Sequence, residues 1–373
     1  MSLLSLSETE LRARTSMKWR TYPDDVLPLF VAEMDVLTPQ PVVDAVAAAM
    51  AIGDTGYPHG SAYADAYADM AEQRWGWRPA PGQMRRSGDV MNAILGLLLG
   101  NTAPGDRVVI NPPVYPPFWQ VIQGYGRKIT QVPMTEAGRL DLAGLAAAFA
   151  GENKPAAYLL CSPHNPTGTV HTAEELSEVA ALCTAYDVLL IVDEIHAVLV
   201  DPGVRFTPIL SLPRAQNAVV AFSAGKGWNL PAFKGGLYIA GRDADSVNQL
   251  PPLSNQSTGH MATIAHTAAL VHAQEWVDQV MVEVAANKDL LERLLAARLP
   301  EVRWQREPGT YLAWLDCSAL GLENPSRHFL DHALVALNDG ATFGAMFGQY
   351  VRINLATNPD LIDQALARMA ASV

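Results

Sequence analysis

The chain has 373 residues, a net charge of −12 at pH 7, and 49% hydrophobic against 17% charged residues. That is room for a large domain and a smaller one, with the composition of a globular protein. The excess of acid, without any basic stripe, argues against a nucleic-acid partner, and no apolar run approaches the roughly 18–20 residues of a membrane span. Cys161, Cys183 and Cys317 lie far apart and show no CxxC spacing, so neither a zinc site nor a disulfide framework is indicated. Met1–Glu10 lacks the basic start and long apolar core of a signal peptide, and a soluble, cytoplasmic protein is the expectation.

The segment up to about Leu37 carries too few strands to stand alone. Ala45–Ala51 reads as helix, and Ser87-Gly88-Asp89-Val90 leads into a helical run, Val90–Gly100. A strand at Arg107–Asn111, a helix at Phe118–Gly124 and a helix at Ala143–Ala150 follow. Next come a strand at Ala156–Cys161, a helix at Ala173–Tyr186, and strands at Val188–Val192, Ala218–Phe222 and Gly236–Ala240. A helix is expected over Thr258–Ala273, at the start of a helical stretch that reaches to about Arg298. The C-terminal part has a strand at Tyr311–Asp316, a helix near Arg327–Leu337, a strand at Tyr350–Leu355 and a last helix from Pro359. The central strands are rich in Val, Ile and Leu, as strands covered on both faces are. The strand–helix rhythm predicts an α/β fold with an open, mostly parallel sheet and right-handed crossovers. The expected division is a large domain over 38–280 and a small α/β domain built by both chain ends, 1–37 and 281–373.

Ligands bind such sheets at the carboxyl ends of the strands, and the notable polar residues gather there. Lys226 follows an apolar strand and sits among small residues in Ser223-Ala224-Gly225-Lys226-Gly227. Burial lowers an amine's pKa and frees its lone pair to attack an aldehyde. Asp193 ends another apolar strand. An imine-forming lysine and a buried carboxylate that keeps a pyridine nitrogen protonated are what a pyridoxal 5′-phosphate site needs. The plainer readings are a lysine reaching solvent and an aspartate in a turn. His196 is within reach of the same pocket, or is a satisfied polar residue at a helix start. Ser162-Pro163-His164-Asn165-Pro166-Thr167-Gly168 is a rigid loop after a strand, and it would present the Asn165 amide to a phenolate oxygen. Backbone N–H groups at Gly88, Asp89 and Val90 open a helix and suit a phosphate, although the Asp89 carboxylate is awkward beside a dianion. Ser223 offers a hydroxyl and Lys234 a cation to the same group. Tyr115, on a proline-stiffened loop, stacks on a ring or simply packs. Arg352, inside an apolar strand, wants an anion: a substrate carboxylate or a structural partner.

Taken together, these residues resemble the fold-type I pyridoxal-phosphate enzymes of the class I/II aminotransferase group, over nearly the whole chain. Within that group the chain is most similar to the cystathionine β-lyase (C–S lyase) branch. The similarity rests on Val31-Ala32-Glu33-Met34-Asp35, Gly56-Tyr57, Pro163-His164-Asn165, Asp193-Glu194-Ile195-His196 and Gly309-Thr310-Tyr311-Leu312-Ala313-Trp314. Plain aminotransferases usually carry tyrosine where His196 stands. The resemblance implies that Lys226 holds the cofactor and moves the α-proton. It assigns Asp193 to the pyridine nitrogen, Asn165 to the ring oxygen and Tyr115 to the ring face. Ser223, Lys234 and the Gly88–Val90 backbone would hold the phosphate, and Arg352 the substrate carboxylate. Tyr57 would reach the phosphate of a neighbouring subunit, so a homodimer is implied. The implied reaction is C–S β-cleavage of cystathionine or a related cysteine conjugate, with amino transfer as the alternative. Two departures stand out: Gly225 replaces the branch's second serine, and Lys234 stands where many aminotransferases have arginine.

Overall fold

The computed structural model describes residues 2–80, 82–251 and 253–373. Its centre is a sheet of seven strands. These are β1 (Met84–Ser87), β2 (Arg107–Ile110), β3 (Lys128–Gln131), β4 (Ala157–Cys161), β5 (Leu189–Asp193), β6 (Val219–Phe222) and β7 (Gly236–Ala240). Their spatial order is β1-β7-β6-β5-β4-β2-β3. Strands β2 to β6 run parallel, while β7 is antiparallel to both β1 and β6. The α/β class and the mostly parallel sheet therefore hold. The exception has a short cause: the chain leaves β6 and returns as β7 through one loop, Ser223–Gly235, without a crossover helix. That loop carries Lys226.

Alternate residues of each central strand enter opposite cores. Leu190 and Val192 join one apolar cluster and Ile191 the other. Each such side chain, fully buried, contributes about 1.5–3 kcal/mol. Helices α1 (Gln40–Ala51) and α2 (Ala62–Trp75) pack on α4 (His260–His272), while α3 (Val90–Asn101) lies against the sheet. The helix expected over Thr258–Ala273 runs over His260–His272, and the helical stretch continues to Arg298 as a second helix. Ala273 (φ −130°, ψ 29°) separates α4 from α5 (Gln274–Arg298). The break has a use, because the Trp228 indole donates to the Ala273 carbonyl at 2.7 Å.

A separate apolar cluster joins both ends of the chain. Trp19, Leu27 and Leu29 pack there with Leu291, Phe329, Val351, Ile353 and Leu366. The helix expected near Arg327–Leu337 runs over Pro325–Ala333 and stops at Leu334, which takes φ 53°. Val335–Ala336 then pairs in parallel with Leu27–Pro28. Leu27 and Val335 are both buried by this pairing, which extends the apolar cluster where another helical turn would not.

Candidate active site

At the carboxyl ends of β4, β5 and β6 lies a cavity of about 640 Å³. Lys226, Asp193, Asn165, Tyr115, His196, Ser223, Lys234, Asp89, Val90 and Arg352 all line it. Each strand delivers its group by ending. Cys161 and Asp193 are register partners across β4 and β5, and Asp193 faces Ala221 of β6. The loops that follow carry Asn165 and Lys226 to the same mouth.

Lys226 donates from Nζ to the Ala32 carbonyl at 2.5 Å. Burial, aided by the charge of Arg352, lowers its pKa to about 8. Asp193 is buried and accepts from the Ile195 N–H at 3.0 Å through Oδ1. Burial raises its pKa to about 7. A cationic ring nitrogen beside it would reverse that rise. Asn165 is buried, and its Oδ1 accepts from Arg352 Nη1 at 2.9 Å. A guanidinium only donates, so the amide oxygen must face it, and the Asn165 NH₂ is left for another acceptor.

Arg352 is 4% exposed. It also donates to the Phe30 carbonyl at 3.0 Å and to Asn338 Oδ1 at 2.6 Å, and its guanidinium carbon lies 5.0 Å above the Phe343 ring. All its partners are neutral; among the described residues no carboxylate pairs with it. Its Nε has no partner at all. Burial accordingly lowers its pKa to about 10. The structural salt bridge considered from the sequence is absent among the described residues. A buried cation without an anion calls for one from outside.

His196 is buried in a turn rather than at a helix start, and its Nδ1 has no partner. Burial and the nearby cations Lys226 and Arg352 lower its pKa to about 3, so the ring is neutral. Tyr115 caps the helix Pro116–Gln123, whose two leading prolines fix its direction. Asp89 caps α3, accepting from the Asn92 N–H at 2.7 Å. Its second oxygen lies 3.1 Å from Lys234 Nζ. The Ser223 hydroxyl donates to the Gly235 carbonyl at 2.6 Å and accepts from the Gly225 N–H at 3.0 Å. Gly88 does not line the cavity; a side chain there would meet Ser257 Oγ at 2.9 Å, so close packing explains the glycine. Tyr57 is 98% exposed and also lies outside this chain's cavity.

Sequence reasoning picked out Val31–Glu33 only as part of a family motif and gave no role to the strip Phe30–Glu33, which forms one wall. Its carbonyl oxygens are held in turn. Phe30 accepts from Arg352; Val31 and Glu33 accept from Asn354; Ala32 accepts from Lys226 and from the Tyr311 hydroxyl at 3.1 Å. The available signal was Asn354, two residues from Arg352 and thus on the same face of one strand.

Residues 83–369 match the family model of class I and II aminotransferases. The chain is 31% identical over 369 residues to the cystathionine beta-lyase of Corynebacterium glutamicum, covering 97% of this chain and 98% of that one. A Mycobacterium leprae protein assigned as a cystathionine beta-lyase is 45% identical, over 100% of this chain and 98% of its own length. The crystal structure of a Corynebacterium diphtheriae protein assigned as a PLP-dependent beta-cystathionase matches with a TM-score of 0.94 and 31% identity, over 100% of this chain and 99% of that one. The chain belongs to the class I and II aminotransferase family.

Proposed function

We propose that the protein is a pyridoxal-phosphate-dependent carbon–sulfur β-lyase. It would cleave cystathionine or a related cysteine S-conjugate to a thiol, pyruvate and ammonia. The observation that carries this reading is the buried, anion-free Arg352 within the cavity that also holds Lys226 and Asp193. The names of the relatives in Corynebacterium and Mycobacterium support the choice of reaction.

The residues present suit the cofactor. Lys226 has an amine that burial keeps ready to bond its aldehyde carbon. Asp193 would hold the proton on the ring nitrogen, and the free Asn165 NH₂ would donate to the ring oxygen. Tyr115 would cover one face of the ring, and His196 would border it. Ser223, Lys234 and the N–H groups of Asp89 and Val90 at the start of α3 would hold the phosphate, Gly88 lying outside the cavity. The bound cofactor supplies an electron-poor ring that accepts the electron pair left at the substrate's α-carbon. Arg352 would fix the substrate α-carboxylate through its fork. The Lys226 amine, displaced by the substrate's own, would take the α-proton. The thiolate would leave from the β-carbon, and water would convert the remainder to pyruvate and ammonia.

The working unit in this reading is a cytoplasmic homodimer in which Tyr57 reaches the neighbouring subunit's phosphate. The chain would divide into a large domain, 38–280, and a small one made by both ends. No helix among the described residues is long and apolar enough to cross a membrane. The test is to incubate the purified holoprotein with cystathionine and to measure pyruvate. Release of pyruvate with an equal amount of thiol is expected. Amino transfer to an added keto acid, without pyruvate, would reject the lyase reading in favour of an aminotransferase.

A further inference from the structure

The side chains facing the phosphate position are fewer than they first appear. Gly225 offers no hydroxyl. The Ser223 hydrogen goes to the Gly235 carbonyl, and Lys234 is tied to Asp89. Anion binding there leans on backbone N–H groups, and backbone groups bind well only if the loop is already in shape. What holds the loop Ser223–Gly235 in shape lies behind it, outside the cavity.

His266 of α4 is completely buried. Its Nε2 is 2.9 Å from the Phe233 carbonyl, and its Nδ1 is 3.1 Å from the Tyr63 hydroxyl of α2. The Tyr63 oxygen in turn accepts from the Ala224 N–H at 3.3 Å. The direction of every bond is forced. A carbonyl only accepts, so Nε2 carries the hydrogen, and Nδ1 must accept from the Tyr63 O–H. That leaves the Tyr63 oxygen free to accept from Ala224. Burial keeps the ring neutral by lowering its pKa to about 4. The chain of bonds therefore runs from Ala224, two residues before Lys226, to Phe233, one residue before Lys234. On the cavity side the Ser223–Gly235 bond joins the same two arms. Neither Tyr63 nor His266 lines the cavity. The loop packs directly on α4: a side chain at Gly235 would press on Ala262 Cβ at 3.3 Å and touch His266 Cε1 at 3.5 Å.

We propose that Tyr63 and His266 are positioning residues: they clamp the two arms of the Lys226 loop from behind, at the spacing that cofactor binding requires. The inference rests on the pyridoxal-phosphate reading above. It concerns residues that touch neither cofactor nor substrate and act only through Ala224 and Phe233.

The test is a cofactor titration of apoprotein, followed by visible absorbance, on the wild type, Tyr63→Phe, His266→Gln and the double variant. Tyr67→Phe is the control. Tyr67 lies one turn further along α2, is equally buried, and its hydroxyl has no partner. Tyr63→Phe and His266→Gln should each raise the Kd for pyridoxal phosphate about tenfold, the effect expected when a buried group loses its hydrogen-bond partner. The double variant should bind no more weakly than the weaker single variant, because both break one chain. Tyr67→Phe should bind as the wild type does. Thermal unfolding of each apoprotein is measured in parallel. A lowered unfolding midpoint with an unchanged Kd in both Tyr63→Phe and His266→Gln would overturn the proposal and leave the pair a purely structural role. Additive losses would overturn it as well. Should Tyr63→Phe not fold, His266→Gln decides alone, since it keeps an amide donor for Phe233. A wild type that takes up no pyridoxal phosphate refutes the cofactor reading instead, a result distinct from any of these.

Discussion

Lys226 sits where burial and charge pull in opposite directions. Burial, Arg352 and Lys234 disfavour its ammonium form, while Glu33 and Asp193 favour it, and burial wins. With a pKa near 8, about a tenth of the amine is neutral at pH 7 and about nine-tenths at pH 9. Only the neutral amine attacks an aldehyde. The rate at which apoprotein takes up pyridoxal phosphate should therefore climb between pH 6 and about 8 and level off above it. An ordinary lysine would keep climbing past pH 10. Stopped-flow absorbance across that range checks it, and a rate still rising at pH 10 contradicts the depressed value. The groups most legible in the sequence were of this kind. Lys226, Asp193 and Arg352 are charges set in apolar strands or at their ends, where a solvated role is improbable on burial grounds alone. The carbonyl oxygens of Phe30 to Glu33 left no such trace. A backbone acceptor looks the same at every residue, and which ones line a cavity is decided by the fold.

Helix α3 shows a conflict within one element. Its N-terminus suits an anion, yet its cap is an anion, Asp89. Lys234 offsets that charge at 3.1 Å and is itself 68% exposed. Asp89→Ala should remove the cap, at a cost of about 1 kcal/mol to the apoprotein. It should also release Lys234 and remove a negative charge beside the phosphate position. The expected outcome is a lower unfolding midpoint together with several-fold tighter cofactor binding. Calorimetry and absorbance titration read the two effects separately. Weaker binding in Asp89→Ala would mean that the cap shapes the site more than its charge disturbs it. The elements that escaped sequence reading have a related cause. Strands β1 (Met-Arg-Arg-Ser) and β3 (Lys-Ile-Thr-Gln) are the two edges of the sheet. An edge strand is covered less than a central one, so it can be short and polar, and it lacks the apolar run that exposed β4, β5 and β6. The helix end at Ala273, by contrast, was legible in the sequence, but its partner was not. The indole of Trp228, remote in sequence, donates to the Ala273 carbonyl, and nothing local to Ala273 announces that contact.

At the scale of the molecule, one pair of packed helices carries several exposed apolar residues. Val43 and Met50 of α1, Ile52 just beyond it and Val271 of α4 are exposed, Ile52 at 81%, and α1 packs directly on α4. Tyr57, at 98%, follows on the same stretch of chain. Scattered apolar residues on a surface need no explanation, but a cluster on two touching helices does. In the proposed homodimer a second copy of the chain would cover these residues, and Tyr57 would reach the neighbouring cavity. The wild type should therefore sediment as a dimer. Met50→Glu combined with Ile52→Glu would place two carboxylates in that proposed contact, where burial of unpaired charge costs several kcal/mol. This variant should sediment as a monomer. It should also bind pyridoxal phosphate more weakly than the wild type although no residue of its own cavity has changed, because each site would lose the partner's Tyr57. A monomeric variant with undiminished cofactor affinity would separate the two claims: the face would remain the dimer contact, and Tyr57 would have no part in holding the phosphate.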